Sequence, residues 1–390
     1  VQNRDQTISK VYLSKIPYVS FAKDEQTYRF MEGLEQRYGV EKRGSRERKI
    51  YEKLNEIGKG EAYLLAQAVD QMKGHQYSNI QHRVYSTGRI LDSEIWKLSE
   101  GWKNTSKDSN KITTFGTRGE YSTDTAGVID YRNNAYGFAY VHENEGVKLG
   151  NTTGWYAGAV NNNFRFEDIG KSKENQTMVK AGIFKIMTPK NDHNGSLKWK
   201  ISGEGYVSRN SMHRRYLVVD EVFSAKGDYT SYGAGVKNEL SKEIRAGERF
   251  SIRPYGSLKV EYGRYSGIKE KTGEMKLDVK GDDYISVRPE VGTEFIYRRP
   301  VAQKSTFVAS LGAGYSSEIG QVDGVKNRVK LQGTSSDYYR LNGEKENRKG
   351  SLKADFKVGL ENTRFGVTFN AGYDTKGQNV NGGIGFRVIY

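Results

Sequence analysis

The residue types that most often carry out catalysis or bind metals are few and scattered in this sequence. There is no cysteine, and the histidines stand alone, at 75, 82, 142, 193 and 213. Neither the Gly-x-Ser-x-Gly elbow of hydrolases nor a paired-histidine zinc motif occurs. The carboxylate pair Asp282–Asp283 falls in a predicted loop, which favours solvated turn residues. We therefore expect no catalytic residue, no metal site and no cofactor, and predict that the chain is not an enzyme.

Charged residues instead recur at every second position of apolar segments. In 197–201, for example, lysines at 198 and 200 alternate with apolar residues. Side chains alternate between two faces along a strand, so one face of such a segment is charged and the other apolar. This pattern suits a wall between lipid and water. The residues that we expect to line a lumen are Lys198, Lys200, Glu204, Lys259, Glu261, Glu290, Lys353, Asp355, Lys357 and Arg387.

The composition agrees with a membrane barrel. Glycine (45), tyrosine (27) and phenylalanine (15) are abundant, proline is scarce (5), and only 35% of the residues are hydrophobic. No segment approaches the roughly 18–20 apolar residues that a membrane helix requires. The net charge of +15 raises nucleic acid as a partner, but the basic residues form no helical stripe and no known nucleic-acid motif. We expect anionic lipid headgroups as partners, and no nucleic acid.

Apolar periodicity of two begins near Lys111 and continues to the end of the chain, where it predicts about twelve strands. The predicted fold is an all-β transmembrane barrel of antiparallel strands. Links after odd strands include the longest ones, at about 208–228, 263–283 and 316–349, whereas links after even strands are short. Short turns on one side and long loops on the other are typical of outer-membrane barrels. Pro254 and Pro289 lie inside predicted strands, so we expect a bulge or a strand boundary at each.

A helical pattern precedes the strands, in residues 61–98. Its other faces are polar, which suits either the lumen of a barrel or, alternatively, packing on a soluble domain. Crossing about 40 Å takes roughly 27 helical residues, and a barrel of about twelve strands has room for one helix. We predict that an N-terminal α-helix is threaded through the lumen. Its apolar positions are Leu64, Ala68, Met72, Ile80, Val84, Leu91 and Ile95.

The final segment, 379–390, has apolar residues on one face and ends on an aromatic residue. A closing strand of a soluble sheet is the simpler interpretation. The segment also looks like the insertion signal of bacterial outer-membrane barrels, which the barrel-assembly machinery reads. The residues that correspond to this signal are Ile384, Phe386, Val388 and Tyr390.

The order of these features resembles the translocator unit of type Va autotransporters. The resemblance rests on three segments, 66–72 (AQAVDQM), 113–119 (TTFGTRG) and 385–390 (GFRVIY). It implies that 1–59 is a short helical and irregular end of a passenger, 60–100 a pore helix, and 111–390 the barrel. It also implies a monomer in the bacterial outer membrane, with a periplasmic C-terminus and the passenger at the cell surface. The implied partners are outer-membrane lipid and lipopolysaccharide, the barrel-assembly machinery and the chain's own passenger.

Some autotransporters cut their chain at an Asn-Asn pair in the pore helix, but no such pair occurs between 61 and 98. We therefore expect a passenger that stays attached, as suits an adhesin. A diffusion porin is the alternative function, and it would join its N-terminus directly to the first strand. A soluble basic binding protein leaves both the terminal strand and the unequal loops unexplained.

Overall fold

Twelve long antiparallel strands form a closed barrel in the computed structural model, which describes residues 14–100, 108–146, 151–189, 197–345, 349–376 and 378–389. Consecutive strands pair, and the barrel closes because the last strand pairs with the first, with Ile384 opposite Thr114. The strands are β1 (Asp108–Tyr121), β2 (Tyr131–Glu145), β3 (Thr152–Phe166), β4 (Lys173–Met187), β5 (Leu197–Val218), β6 (Glu221–Lys242), β7 (Phe250–Tyr265), β8 (Asp282–Ala302), β9 (Ser305–Ser317), β10 (Gly350–Asn362), β11 (Phe365–Asp374) and β12 (Asn379–Ile389).

The two faces of the barrel differ as the alternation predicts. Ile183 and Leu240 point outward and are 71% and 57% exposed, whereas their strand neighbours Lys180 and Glu239 point inward and are buried. An apolar outer band with a polar interior is the arrangement of membrane barrels. Among the helices of the described residues, none is long and apolar enough to cross a membrane.

Within residues 14–100, four α-helices precede the strands: α1 (Glu25–Arg37), α2 (Arg46–Asn55), α3 (Ala62–Met72) and α4 (Ile80–Glu100). Short 3-10 turns lie at Tyr18–Phe21, Lys59–Glu61 and His75–Tyr77. α1 and α2 begin at capping residues, because the side chains of Asp24 and Ser45 accept hydrogen bonds from the backbone N–H groups of Thr27 and Arg48 (2.7 and 3.3 Å). α4 lies inside the barrel, and α1, α2 and α3 lie above the end at which it enters.

The long links fold into a lid over that same end. Residues 266–281 and 318–345 contribute a small sheet whose strands, in spatial order, are Tyr339–Arg340, Arg328–Leu331, Leu277–Val279 and Ile268–Lys269. α1 packs on this sheet, where Gly33 approaches Leu331 and the Arg29 guanidinium lies 3.0 Å from the Asp337 carboxylate. We call residues 14–73 together with this sheet the cap. Two further short strands extend the barrel edges, Ile244–Arg245 beside β7 and Thr272–Gly273 beside β6.

The expected long loop at 208–228 is wrong. β5 and β6 continue as a hairpin to a two-residue turn at Val219 and Asp220, beyond the barrel rim. The alternation of polar and apolar side chains does not stop at the rim, since Met212 and Tyr216 remain buried on the inner face. α3 covers that face, and the backbone N–H of Leu217 donates to the Gln71 side chain (3.3 Å). Beyond the rim, the inner face of these two strands therefore packs against the cap, whereas within the barrel the same face lines the lumen.

The expected bulge or strand boundary at each of the two prolines is also wrong, because both residues lie within continuous strands in regular register. On the β6 side, pairing stops at Tyr255 and resumes at Ile252, so Pro254 occupies a gap. Pairing of β8 with β9 ends at Glu290, next to Pro289. Each proline thus has one strand edge where a missing N–H removes no ladder hydrogen bond.

Gly74 allows the chain to turn from the cap into the barrel. Its φ is +85°, and a Cβ at this position would lie 2.4 Å from the Leu277 side chain.

We predict that Gly74→Ala destabilises the cap by about 1–3 kcal/mol, because it adds backbone strain and a steric clash. Limited proteolysis at increasing temperature should show cap cleavage at a lower temperature than in the unsubstituted protein. Gly60→Ala is the control, since a Cβ at Gly60 meets nothing within 4 Å. Equal cleavage of both variants would contradict the prediction.

Candidate functional site: the lumen and its helix

The backbone between α3 and α4 aims α4 along the lumen. Gly74 and Asn79 both adopt left-handed conformations, with φ values of +85° and +59°. The Asn79 amide donates to the Tyr121 hydroxyl of β1 (3.0 Å), and both groups are buried. α4 has 21 residues, so at 1.5 Å per residue it is about 31 Å long. That length matches the apolar thickness of a bilayer.

At the entrance, a buried ion pair joins α4 to the wall. The Arg83 guanidinium lies 3.1 Å from the Glu174 carboxylate on β4, and both side chains are fully buried. Arg83 also donates to the carbonyl oxygens of Ser78 and Gln76 (2.7 and 2.8 Å). Because the charge is paired and its remaining N–H groups are bonded, burial of this arginine is stable.

A second buried ion pair lies just above the entrance, between the hairpin and the cap. The Arg214 guanidinium lies 2.8 Å from the Glu270 carboxylate, and neither side chain is exposed. Burial raises the pKa of Tyr77 well above its usual value. Its hydroxyl therefore stays protonated and donates to Glu270 (2.9 Å). Together these contacts join the turn before α4 to the β5–β6 hairpin.

Halfway along α4, Asp92 meets two lysines of the wall. Its carboxylate lies 2.6 Å from the Lys180 ammonium and is also hydrogen-bonded to Lys259. Glu204 and Glu261 complete the cluster, and oxygens of the three carboxylates lie within 4.8 Å of one another. This spacing would suit a cation. The ammonium groups of Lys180 and Lys259, however, already provide the positive charge that neutralises these carboxylates.

At the far end of α4, the charges are again matched. The Glu100 carboxylate lies 2.9 Å from the Arg253 guanidinium of β7, which also lies 2.8 Å from Glu294 of β8. The Lys97 ammonium lies 3.3 Å from Asp355 of β10. The Trp96 indole N–H donates to Glu239 (2.8 Å). α4 is therefore bound by ionic and polar groups along its whole length, from strands all around the barrel.

The structure places the predicted lumen residues as follows. At the far end of α4, Lys200 lies 3.9 Å from Glu100, Asp355 lies near Lys97, and Lys357 donates to the Lys97 carbonyl (3.4 Å). Within the wall, Glu204 bonds to Lys259, Glu261 lies 3.9 Å from Lys180, Glu290 lies 3.0 Å from Lys353, and Arg387 lies 3.7 Å from Glu361. Lys198 is half-buried.

The predicted pore-helix positions divide between two places. Ile80, Val84, Leu91 and Ile95 are buried on α4 inside the barrel. Leu64, Ala68 and Met72 belong to α3, which lies in the cap. There Leu65 is buried and Leu64 only partly so.

Of the predicted insertion-signal residues, Ile384 and Phe386 are exposed on the outer face, Val388 is half-buried, and Tyr390 lies outside the described residues.

Asp92, Lys180 and Glu174 also join the helix to the wall, and they were not predicted from the sequence. Lys180 could have been assigned, since it falls on the opposite face from Val179 within a predicted strand. The sequence does not indicate that Asp92 contacts the wall, because a lone carboxylate on a polar helix face is usually solvated. Only the structure shows which residues of wall and helix pair.

Little space remains around α4. A cavity of about 50 Å³ lies beside Asp92, Trp96 and Tyr156, and another of about 80 Å³ lies beside Arg89 and Ser93. Volumes of this size hold a few water molecules. Among the described residues, these two cavities are too small to admit a second polypeptide segment beside α4.

Comparison with known proteins points to one family. A family model described as the autotransporter beta-domain matches residues 111–374. The fold is similar to that of the translocator domain of the autotransporter NalP from Neisseria meningitidis, with 12% identity, a TM-score of 0.59, and coverage of 80% of this chain and 96% of that chain. The beta domain of the Bordetella autotransporter BrkA is similar too, with 12% identity, a TM-score of 0.51, and coverage of 73% and 100%. No curated protein matches the chain.

The pair between Arg83 and Glu174 offers a direct test of the packing. We predict that Glu174→Gln lowers the free energy of unfolding by about 3–5 kcal/mol, because it leaves a buried arginine without a counter-charge. Replacing both residues, as Arg83→Met with Glu174→Leu, should recover most of the loss. The measurement is urea-induced unfolding of the barrel in detergent.

A surface ion pair provides the control for this test. Arg48 and Glu52 of α2 lie 3.2 Å apart but are both exposed, so Glu52→Gln should cost less than about 1 kcal/mol. If Glu174→Gln had no larger effect than Glu52→Gln, the buried pair would not hold the helix in place.

Proposed function

The chain belongs to the autotransporter β-domain family, and from that premise we propose that this outer-membrane translocator closes its pore with α4 and keeps its passenger attached. Translocators of this family are transport units of the outer membrane, and their passengers are exported to the cell surface. The passenger that we propose here is an adhesin. Residues 1–59 are then the end of that passenger, and 60–100 connect it to the barrel.

The charge match between α4 and the inner wall is the observation that supports closure. Asp92, Glu100 and Arg83 each meet an opposite charge on a different part of the wall. Removing α4 would leave Glu174 without its arginine and would take one opposite charge from Lys180 and Arg253, which is costly in a narrow lumen. The helix-filled state is therefore the stable one after export.

Contacts of the cap support attachment. Arg46 and Lys53 of α2 pair with Glu221 and Asp220 at the tip of the β5–β6 hairpin (3.1 and 2.6 Å). Exposed pairs of this kind contribute less than about 1 kcal/mol each. The buried pair of Arg214 and Glu270 contributes more, and Arg214 also donates to the Met72 carbonyl. The segment that leads to the passenger is thus fastened at the rim, and no Asn-Asn pair lies between 61 and 98.

The proposed partners follow from the surfaces of the barrel. Ile384 and Phe386 are exposed on β12, which supports recognition of the last strand by the barrel-assembly machinery. The apolar outer band supports contact with lipid and, on the outer leaflet, lipopolysaccharide. We propose a monomer, since β12 pairs with β1 of the same chain. The alternative of a diffusion porin requires an open lumen, which the observed packing of α4 does not favour.

The topology and the attachment are tested with an epitope tag ahead of Val1. The tagged chain, carrying a cleavable signal peptide, is expressed in a Gram-negative host, and intact cells are treated with protease. We expect loss of the tag and a protected barrel fragment. A second tag, in the two-residue turn between β8 and β9 at Gln303 and Lys304, should survive until the outer membrane is opened.

Two outcomes would contradict the proposal. A tag ahead of Val1 that survives external protease would place the N-terminus in the periplasm and favour the porin. Release of the passenger from untreated cells as a fragment that ends within 61–98 would show that the passenger does not stay attached.

A further inference from the structure

A row of basic residues crosses the outer surface of the barrel near the cap. Along β2 to β6, these residues lie directly opposite one another in consecutive strands: Arg132, Arg165, Lys173, His213 and Lys226. Directly opposed residues in antiparallel strands have Cα atoms about 4.5–5.5 Å apart, so the row is about 20 Å wide. We call it the basic row.

Most of the charge in this row is not neutralised by the protein. Arg132 lies 3.4 and 3.0 Å from Glu120 and Glu167. In the part of the chain that the structure describes, no ion pair joins the other members to a carboxylate, and Arg165, Lys173 and Lys226 are exposed. Asp228 is the carboxylate nearest to Lys226 along the same face of β6. Lys171, Arg209 and Arg215 add further positive charge around the row.

The row lies well above the apolar band. On β4, the outward residues after Lys173 are Asn175 and Thr177, and the first apolar one is Val179, which is 50% exposed. Six residues at about 3.3 Å each, on a strand tilted by about 40°, put Lys173 about 15 Å beyond the lipid-facing band. Phospholipid headgroups extend only about 5–8 Å beyond the hydrocarbon core. The basic row is therefore at the height of a glycolipid's sugars.

Amide side chains fill the interval between the row and the apolar band. The Asn161 amide donates to Asn175 (3.1 Å), and the Asn163 amide donates to Asn161 (3.0 Å). Amide and hydroxyl groups offer both donors and acceptors to sugar hydroxyls. This surface is confined to one side of the barrel, because β10, β11 and β12 begin or end within one or two residues of their last exposed apolar side chain.

We propose that the basic row and the asparagines beneath it bind the phosphorylated sugar core of lipopolysaccharide in the outer leaflet. Core phosphates pair with Arg165, Lys173 and Lys226, and sugar hydroxyls bond to the asparagines. The proposal rests on the proposed orientation, in which the cap faces outward. It locates on β2 to β6 a partner that was inferred above only from the lipid setting.

The test measures binding of the purified full chain to three probes: lipopolysaccharide with a phosphorylated core, the same lipopolysaccharide after chemical removal of the core phosphates, and phosphatidylglycerol vesicles. We expect the first to bind most tightly. The triple variant Arg165→Gln, Lys173→Gln, Lys226→Gln should bind it about 100-fold more weakly, since each basic residue near an anionic surface contributes about fivefold. The loss should shrink as salt is added.

The matched control removes the same charge from the other end of the barrel, as Lys185→Gln, Lys242→Gln, Arg299→Gln. These residues are exposed on the outer face, and the control should bind like the unsubstituted chain. Equal binding by both triple variants, or equal binding of phosphorylated and dephosphorylated lipopolysaccharide, would overturn the proposal. Resistance to unfolding in unheated detergent gels verifies that each variant is folded.

A labelling experiment separates failure of this proposal from failure of the proposed function. The chain has no cysteine, so Ile169→Cys, in the exposed link between β3 and β4, supplies a single reactive site. Labelling of intact cells by a membrane-impermeant maleimide places the basic row outside. Labelling together with unchanged lipopolysaccharide binding overturns only the site. No labelling overturns both the orientation and the site.

Discussion

The structure depends on electrostatic matching between one helix and the inner wall of the barrel. A closed barrel pairs its backbone groups and turns apolar side chains to lipid, so its charged side chains must find partners inside. α4 supplies those partners at the entrance, halfway along and at the far end, through Arg83, Asp92 and Glu100. The helix is therefore part of the barrel's core.

This matching also couples the lumen to the cap. A short turn through Gly74 and Asn79 connects α3 to α4. Tyr77 of this turn donates to Glu270, and Glu270 pairs with Arg214 of the β5–β6 hairpin. Withdrawal of α4 would break the buried Arg83–Glu174 pair and pull on the hydrogen bonds that Tyr77 and the Met72 carbonyl make with Glu270 and Arg214. The proposed closure of the pore and the proposed attachment of the passenger thus both depend on the packing of α3, α4 and the β5–β6 hairpin.

Much of the fold follows from the sequence, because period-two alternation is set by the strand itself and needs no knowledge of partners. It predicts the strands and the two faces of the barrel wall, and a separate helical spacing predicts the helix before them. The prediction fails at 208–228, because the sequence does not show that α3 covers the inner face of these strands. It also fails at Pro254 and Pro289, because the sequence does not show that one edge of the strand is unpaired at each proline. Leu65, and not Leu64, is buried on α3, because the packing of α3 in the cap decides which of the two leucines faces inward.

The pairing of charges is the part that the sequence does not reveal. Glu174 lies 91 residues from Arg83, and Lys259 lies 167 residues from Asp92. Each residue taken alone is an ordinary charged side chain on a strand or helix. Register around the barrel and the depth of α4 decide which of them meet, and both are properties of the assembled structure.

The most direct test of the account is the single-channel conductance of the purified chain in planar bilayers, with and without residues 62–100. We predict that the intact chain conducts weakly and that the deletion variant, verified as a folded barrel, conducts severalfold more, because water then fills the space that α4 occupied. Unchanged conductance would contradict the claim that α4 closes the pore.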